Sequence, residues 1–189
     1  MEHETITHYS APTKIIHWLT AILVLAAFIY GPGGSEERVY SAARDFDRQL
    51  HETLGLSVLA LVVFRMLWRA IDKRPEPPFV ARWMSVTAGA VQSALYILLF
   101  AVPLTAITGA WLEGHALTLL WGMAIRPPIA EFHSLGAKIA ELHTWLGDVI
   151  LWLAGAHALA ALVHHYVLKD GVLRSMLPRR SADLPRFDA

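Results

Sequence analysis

Ile139–Leu168 reads IAELHTWLGDVILWLAGAHALAALVHHYVL, thirty residues in which Asp148 is the only formal charge after Glu141. At 1.5 Å per residue such a run is long enough to cross a hydrocarbon core of about 30 Å as one helix. It also carries four histidines, and three of them fall on one stripe. His143 and His157 are 14 residues apart, which is about 21 Å along the axis and only about 40° around it. Seven residues further on, His164 is displaced by roughly another 20°. Intramembrane ionisable side chains are costly and usually functional, so three on one stripe ask for a ligand.

Working outward, three more runs of the same kind appear. Ile15 to Ser35 holds no charged residue, and its apolar part ends at Gly31-Pro32-Gly33-Gly34. Leu50 to Trp68 keeps its charges, Glu52 and Arg65, near its ends. Trp83 to Leu112 is thirty residues without a formal charge. The spans are therefore placed at about 12–31, 50–70, 84–112 and 139–168, in a single domain over 1–180, with 181–189 a polar tail. Because unpaired strands cannot span lipid, the expected fold class is all-α: an integral membrane four-helix bundle. Glu2 and Glu4 against a lone Lys14 argue that the first span is not a cleaved signal peptide, whose leading segment is normally basic.

Composition agrees. The chain has 189 residues, 55% hydrophobic and 17% charged, with mean hydropathy +0.42; soluble domains average about 45–50% apolar and 25% charged. Net charge is zero, so nothing favours nucleic acid as a partner. Without cysteine there can be no disulfide, iron–sulfur cluster or covalently attached c-type haem. Eleven of the sixteen Lys and Arg fall on the side that holds the N-terminus, the second-to-third loop and the C-terminus, and five on the other. That bias places both termini in the cytoplasm. Trp68, Trp83, Trp111 and Trp121 fall near the predicted interfaces, as aromatic belts do. Lys73 to Pro78 reads as a stiff turn, Pro103 as a helix kink, and Gly89 and Gly109 as points of close packing.

Depth then pairs the histidines. The fourth span enters from the periplasmic side, so His143 lies near that face and His157 towards the cytoplasm. His51, in the first turn of the second span, shares the depth of His143; His17, early in the first span, shares that of His157. Two facing imidazoles from different helices suit a bis-histidine haem iron. His51-Glu52-Thr53-Leu54-Gly55 and His143-Thr144-Trp145-Leu146-Gly147 share the pattern His-x-x-Leu-Gly, and a glycine four residues along lies on the same face and leaves room for a flat ring.

Several features together resemble one family. They are Ile16-His17-Trp18, the His51 motif followed by Arg65, and the ending His157-x6-His164-His165-Tyr166-x2-Lys169-Asp170 with Met176-Leu177-Pro178-Arg179. With them the chain, from about residue 8 to 180, resembles the bacterial cytochrome b561 family, and within it the superoxide:ubiquinone oxidoreductases. The resemblance implies an inner-membrane bundle with two non-covalent haems b, ligated by His51 with His143 and by His17 with His157. It implies superoxide as periplasmic electron donor, ubiquinone as acceptor near the cytoplasmic side, and His164 at the quinone. Apart from the resemblance, the short loops leave little surface for a large partner, so membrane lipid and no obligatory protein partner are expected.

Other residues have plainer readings. His3, His8, His115 and His133 read as loop histidines, and His165 as facing away from the stripe. Arg65 and Arg69 read as snorkelling to the interface, with a haem-propionate contact as the second reading. Asp148 reads as an anion early in its helix, favoured by the dipole. The loops 31–50 and 113–138 hold five basic and six acidic residues, which gives an anionic donor no electrostatic steering. Two other functions fit the pattern less fully: a cytochrome b membrane subunit of a dehydrogenase or hydrogenase, and a His-based metal-ion transporter. No residue is assigned as catalytic.

Overall fold

The computed structural model describes residues 8–72 and 81–178. Four long helices form the bundle: α1 (Ala11–Ile29), α3 (Asp45–Ile71), α4 (Arg82–Leu112) and α5 (His133–Val163), the last continued by a π turn over His164–Leu168. All four are long and apolar enough to cross a membrane. Two short helices, α2 (Glu36–Val39) and α6 (Val172–Met176), 3-10 turns at Ala42–Arg44 and Leu120–Gly122, and a two-stranded hairpin of β1 (Leu117–Thr118) and β2 (Ala124–Ile125) complete the described residues. The Lys73–Pro78 turn and the tail 181–189 lie outside the described residues.

The start of α1 is fixed by side chains. Ser10 caps its first turn by accepting from Thr13 N–H, where four backbone donors otherwise lack partners. Ser10 and Thr13 also donate their hydroxyls to Asp72, the cap residue at the far end of α3, at 2.7 and 2.6 Å. The start of α1 and the end of α3 therefore sit at one end of the bundle. Tyr9 N–H donates to Ser175 O at 3.2 Å, so the segment after α5 returns to that same end. We call it the terminal end, and the opposite one the loop end.

α3 and α5 begin five and six residues before the expected 50 and 139. In α3 the cause is local charge pairing. Asp45 and Asp47 occupy the first turn, where the dipole favours anions, and Arg48 bonds Asp45 at i−3 and Glu52 at i+4. The extension of α5 moves Asp148 four turns into its helix, where it is exposed. The expected dipole contact is lost.

The helices associate as two pairs, α1 with α3 and α4 with α5, and α1 barely touches α5. Glycine sets the second pair. A Cβ on Gly136 would come within 3.0 Å of Glu113 N and 3.1 Å of Leu112 C, and one on Gly109 within 3.1 Å of Ala140 N. Gly109 is thus a close contact, as expected. Gly89 is not: a Cβ there would meet nothing within 4 Å. Pro103 lies buried within a continuous α4. Outward faces are apolar, Trp152 being 79% and Ile71 75% exposed, which water would penalise and lipid does not.

Candidate functional site

The gap between the two helix pairs is where the histidines meet. His51 on α3 faces His143 on α5 with ring centres 6.0 Å apart. His17 on α1 faces His157 on α5 at 6.5 Å. In both cases the rings are turned 76° from one another. A metal–imidazole bond of about 2.0 Å, with each nitrogen roughly 1.1 Å from its ring centre, would place two imidazoles on opposite sides of one metal about 6.2 Å apart. Both pairs have the separation of ligands to one metal. All four rings are half-buried.

The loop-end pair is also oriented for it. His51 Nδ1–H donates to Ala27 O at 2.7 Å, and His143 Nδ1–H to Val102 O at 2.9 Å. Each ring is held by the neighbouring helix of its own pair, and each Nε2 is left with the lone pair a metal needs. Ala27 can accept because it lies in the last turn of α1, where carbonyls lack intrahelical donors. Gly31 closes that turn; a Cβ on it would meet the His51 ring at 3.4 Å. A Cβ on Gly55 or Gly147 would meet nothing within 4 Å, so the glycine of each His-x-x-Leu-Gly stands beside open space. These residues fit a flat, iron-centred ring.

The terminal-end pair differs in one respect. Arg65 donates from Nη2 to His17 Nδ1 at 3.2 Å, which in a neutral ring places the proton on Nε2. Ligation through Nε2 requires that contact to be exchanged for an acceptor. Arg65 and Arg69 both lie over the Tyr96 ring, each at 5.4 Å, and Arg69 donates to the Tyr96 hydroxyl at 3.4 Å. Both guanidinium groups are thus held at the Tyr96 ring.

His164 continues the stripe and donates from Nδ1 to Asp170 at 2.5 Å. Its neighbour His165 has an enclosed Nδ1 that finds no hydrogen-bond partner among the described residues. His115, expected to be an ordinary loop residue, stacks on Tyr40 with ring centres 3.6 Å apart and bonds Glu36 at 2.6 Å through Nε2. His133 is the first residue of α5, paired with Glu131 at 3.5 Å. His3 lies outside the described residues.

The loop end is acidic around its buried arginine. Arg48 is bonded by both Asp45 and Glu52 and lies over the Tyr40 ring at 5.1 Å. Thr118 N–H also donates to Glu52, and Leu120 N–H to Thr53 Oγ1 at 3.0 Å. The hairpin is thereby tied over the first turns of α3, next to His51. Burial pushes the Tyr40 phenol up, and Glu52 adds to this against the opposing effect of Arg48. Burial, then Glu36, push the Glu113 carboxyl up, with His115 and His133 opposing. Nothing in the sequence flagged this network, since its members lie on three separate segments.

The fold and site define a helical membrane protein that presents imidazole pairs across its bundle interior, the arrangement of a membrane cytochrome b. Comparison with known proteins agrees. The chain matches the family model of prokaryotic cytochrome b561 over residues 8–179, and it belongs to that family. It is 28% identical to cytochrome b561 homolog 2 of Escherichia coli (strain K12), over 93% of this chain and 94% of that one. It is 34% identical to cytochrome b562 of Cereibacter sphaeroides, over 87% and 92%. It is 29% identical to the probable superoxide oxidase CybB of Yersinia pestis, over 91% and 97%. The chain is therefore a multi-pass membrane cytochrome that binds b-type haem and takes part in electron transfer.

Proposed function

We propose that this cytochrome carries two haems b and moves electrons across the bacterial inner membrane, from periplasmic superoxide to ubiquinone. Both termini face the cytoplasm, so the loop end is periplasmic. His51 and His143 hold one haem there, and His17 and His157 hold the other at the cytoplasmic end. The observation that carries this reading is the pair of cross-bundle imidazole contacts, at 6.0 and 6.5 Å. Each haem, when bound, supplies a one-electron centre.

The chain's own residues do the rest. The carbonyls of Ala27 and Val102 hold the loop-end imidazoles in the ligating tautomer. Ligation through His17 Nε2 would free Arg65 from its contact with Nδ1, and its guanidinium could then hold a haem carboxylate. The 14-residue step from His143 to His157 spans about 21 Å of the membrane normal, which suits transfer between faces rather than chemistry at one surface. His164, about 10 Å beyond His157, binds the quinone headgroup. Two superoxide anions and one ubiquinone then give two dioxygen and one ubiquinol, with two protons taken up. The name of the Yersinia pestis relative supports superoxide as donor.

Pyridine haemochrome analysis of the purified protein should give two haems b per chain. His143→Ala should remove one and leave the other. One haem or none in the parent, or loss of both from a still-folded variant, refutes the assignment. Superoxide in solution should reduce the haems and added ubiquinone should reoxidise them; haems left oxidised by superoxide would exclude it as donor.

A further inference from the structure

The turn after α5 brings a carboxylate onto the last histidine of the stripe. His164 opens the π turn, Lys169 adopts a left-handed conformation (φ 55°), and Asp170 N–H donates back to His164 O at 3.2 Å. π turns inside helices are frequent at functional sites. This closure places Asp170 Oδ2 2.5 Å from His164 Nδ1, with both side chains about four-fifths enclosed, at 19% and 20% exposure. The other carboxylate oxygen accepts from Val172 N–H at 3.1 Å and so starts α6. α6 is in turn held against α1: Lys14 Nζ donates to Leu177 O at 2.8 Å and Trp18 Nε1 to Met176 O at 3.0 Å. Asp170 is therefore fixed on both oxygens, and it fixes His164 by one ring nitrogen.

From this geometry we infer that Asp170 is a positioning residue that makes His164 a proton donor to the bound quinone. The inference rests on the quinone reading of His164 given above. An imidazole whose Nδ1–H is bonded to a carboxylate can carry a second proton on Nε2, donate it, and remain a neutral ring with Nδ1–H unchanged. Reduction of ubiquinone takes two electrons and two protons. The electrons come from the haems of the proposed reaction. One proton passes from His164 Nε2 to a quinone carbonyl oxygen, forming an O–H bond as an N–H bond breaks, and the ring is then reprotonated from the aqueous phase. The second proton comes directly from that phase.

Asparagine at 170 separates this role from a purely structural one. Its Oδ1 can still accept from Val172 N–H, so α6 keeps its start. The amide nitrogen then faces His164 Nδ1 and donates to it, and the proton moves to Nε2. Such a ring hydrogen-bonds a quinone carbonyl but cannot give up the proton without becoming an imidazolate.

The test uses the haem-loaded protein, pre-reduced, with reoxidation by a short-chain ubiquinone followed at the haem absorption band. Asp170→Asn should leave the half-saturating quinone concentration nearly unchanged and lower the maximal rate by about 100-fold, as loss of a general acid does. His164→Gln, which offers an amide N–H and no transferable proton, should reproduce that split and serves if the first variant folds poorly. Haem content should be unaltered in both. A normal maximal rate in Asp170→Asn alongside slow reoxidation in His164→Gln overturns the role of Asp170 and leaves the quinone site standing. An increase in half-saturating concentration alone, in either variant, also overturns the proton-donor role. Normal reoxidation in both variants removes the quinone reading of His164 itself.

Discussion

Replacing Gly147 by leucine tests whether a flat ring stands against the loop-end imidazoles. In the protein alone the first side-chain carbon is free of conflict, since a Cβ at Gly147 meets nothing within 4 Å. Helix propensity even favours it, by up to about 1 kcal/mol. Gly147 lies one turn beyond His143, about 6 Å along the axis, on the same face of α5. Gly55 bears the same relation to His51, and α3 and α5 both start at the loop end, so the two glycines flank one space. If a macrocycle fills it, leucine overpacks the site. Overpacking costs about 1–3 kcal/mol, which is roughly 5- to 150-fold in haem affinity. Pyridine haemochrome analysis, with haem supplied just above what saturates the parent, should therefore give one haem per chain for Gly147→Leu and for Gly55→Leu, with thermal unfolding of the haem-free bundle no earlier than in the haem-free parent. Gly155, whose Cβ would equally meet nothing within 4 Å, lies about 120° round from His143; Gly155→Leu should keep both haems. Two haems at parental affinity in Gly147→Leu would refute the argument that this face holds a ring.

Two further outcomes follow from the packing at the loop end. Gly136→Ala should lower the melting temperature in detergent, by an overpacking cost of about 1–3 kcal/mol, because its Cβ would meet Glu113 Cγ at 2.7 Å and α4 backbone at 3.0–3.1 Å; Gly89→Ala should not. Glu113 has its pKa raised in the fold, so its neutral form is the compatible one and its burial weakens stability as pH rises through the folded value. Glu113→Gln should accordingly raise the melting temperature at neutral pH, and the advantage should vanish once the pH falls below the ordinary carboxylate range; an equal gain at both pH values would contradict this.

The spans were legible because the bilayer tolerates few charges, and stretches such as Trp83–Leu112 have none. The helix starts were less so: Asp45, Asp47 and Arg48 look like loop in hydropathy, yet their pairing at i+3 and i+4 extends α3 outward. The meeting of His51 with His143 and of His17 with His157 could be foreseen because helix order fixes depth. What holds those rings could not. The carbonyls of Ala27 and Val102 carry no side-chain signal, and the approach of Arg65 to His17 depends on rotamers. Asp170 belongs to the motif that ends the fourth span, but its contact with His164 needs the left-handed residue at Lys169, which nothing in that side chain announces.

Charge at the loop end bears directly on how an anionic donor would reach the proposed periplasmic haem. The arginine nearest His51 in sequence is Arg48, and its guanidinium is bonded by both Asp45 and Glu52. Glu36 and Glu113 lie beside His115, their ligand atoms with its own within 4.8 Å of one another. Five basic and six acidic residues in the loops 31–50 and 113–138 leave no cationic excess, and a superoxide anion gains nothing from them at long range. Cationic funnels make association fall steeply with ionic strength; a weakly acidic mouth does the reverse, because salt screens a repulsion over a Debye length of about 10 Å at 0.1 M. Haem reduction by superoxide should therefore be unchanged or faster as salt rises from 0.01 to about 0.1 M. Glu36→Gln, which removes one exposed carboxylate, should flatten whatever increase is seen. A rate that drops several-fold over the same range would mean that unpaired cations, such as Arg126 or Lys138, line the entry and outweigh the carboxylates around Arg48.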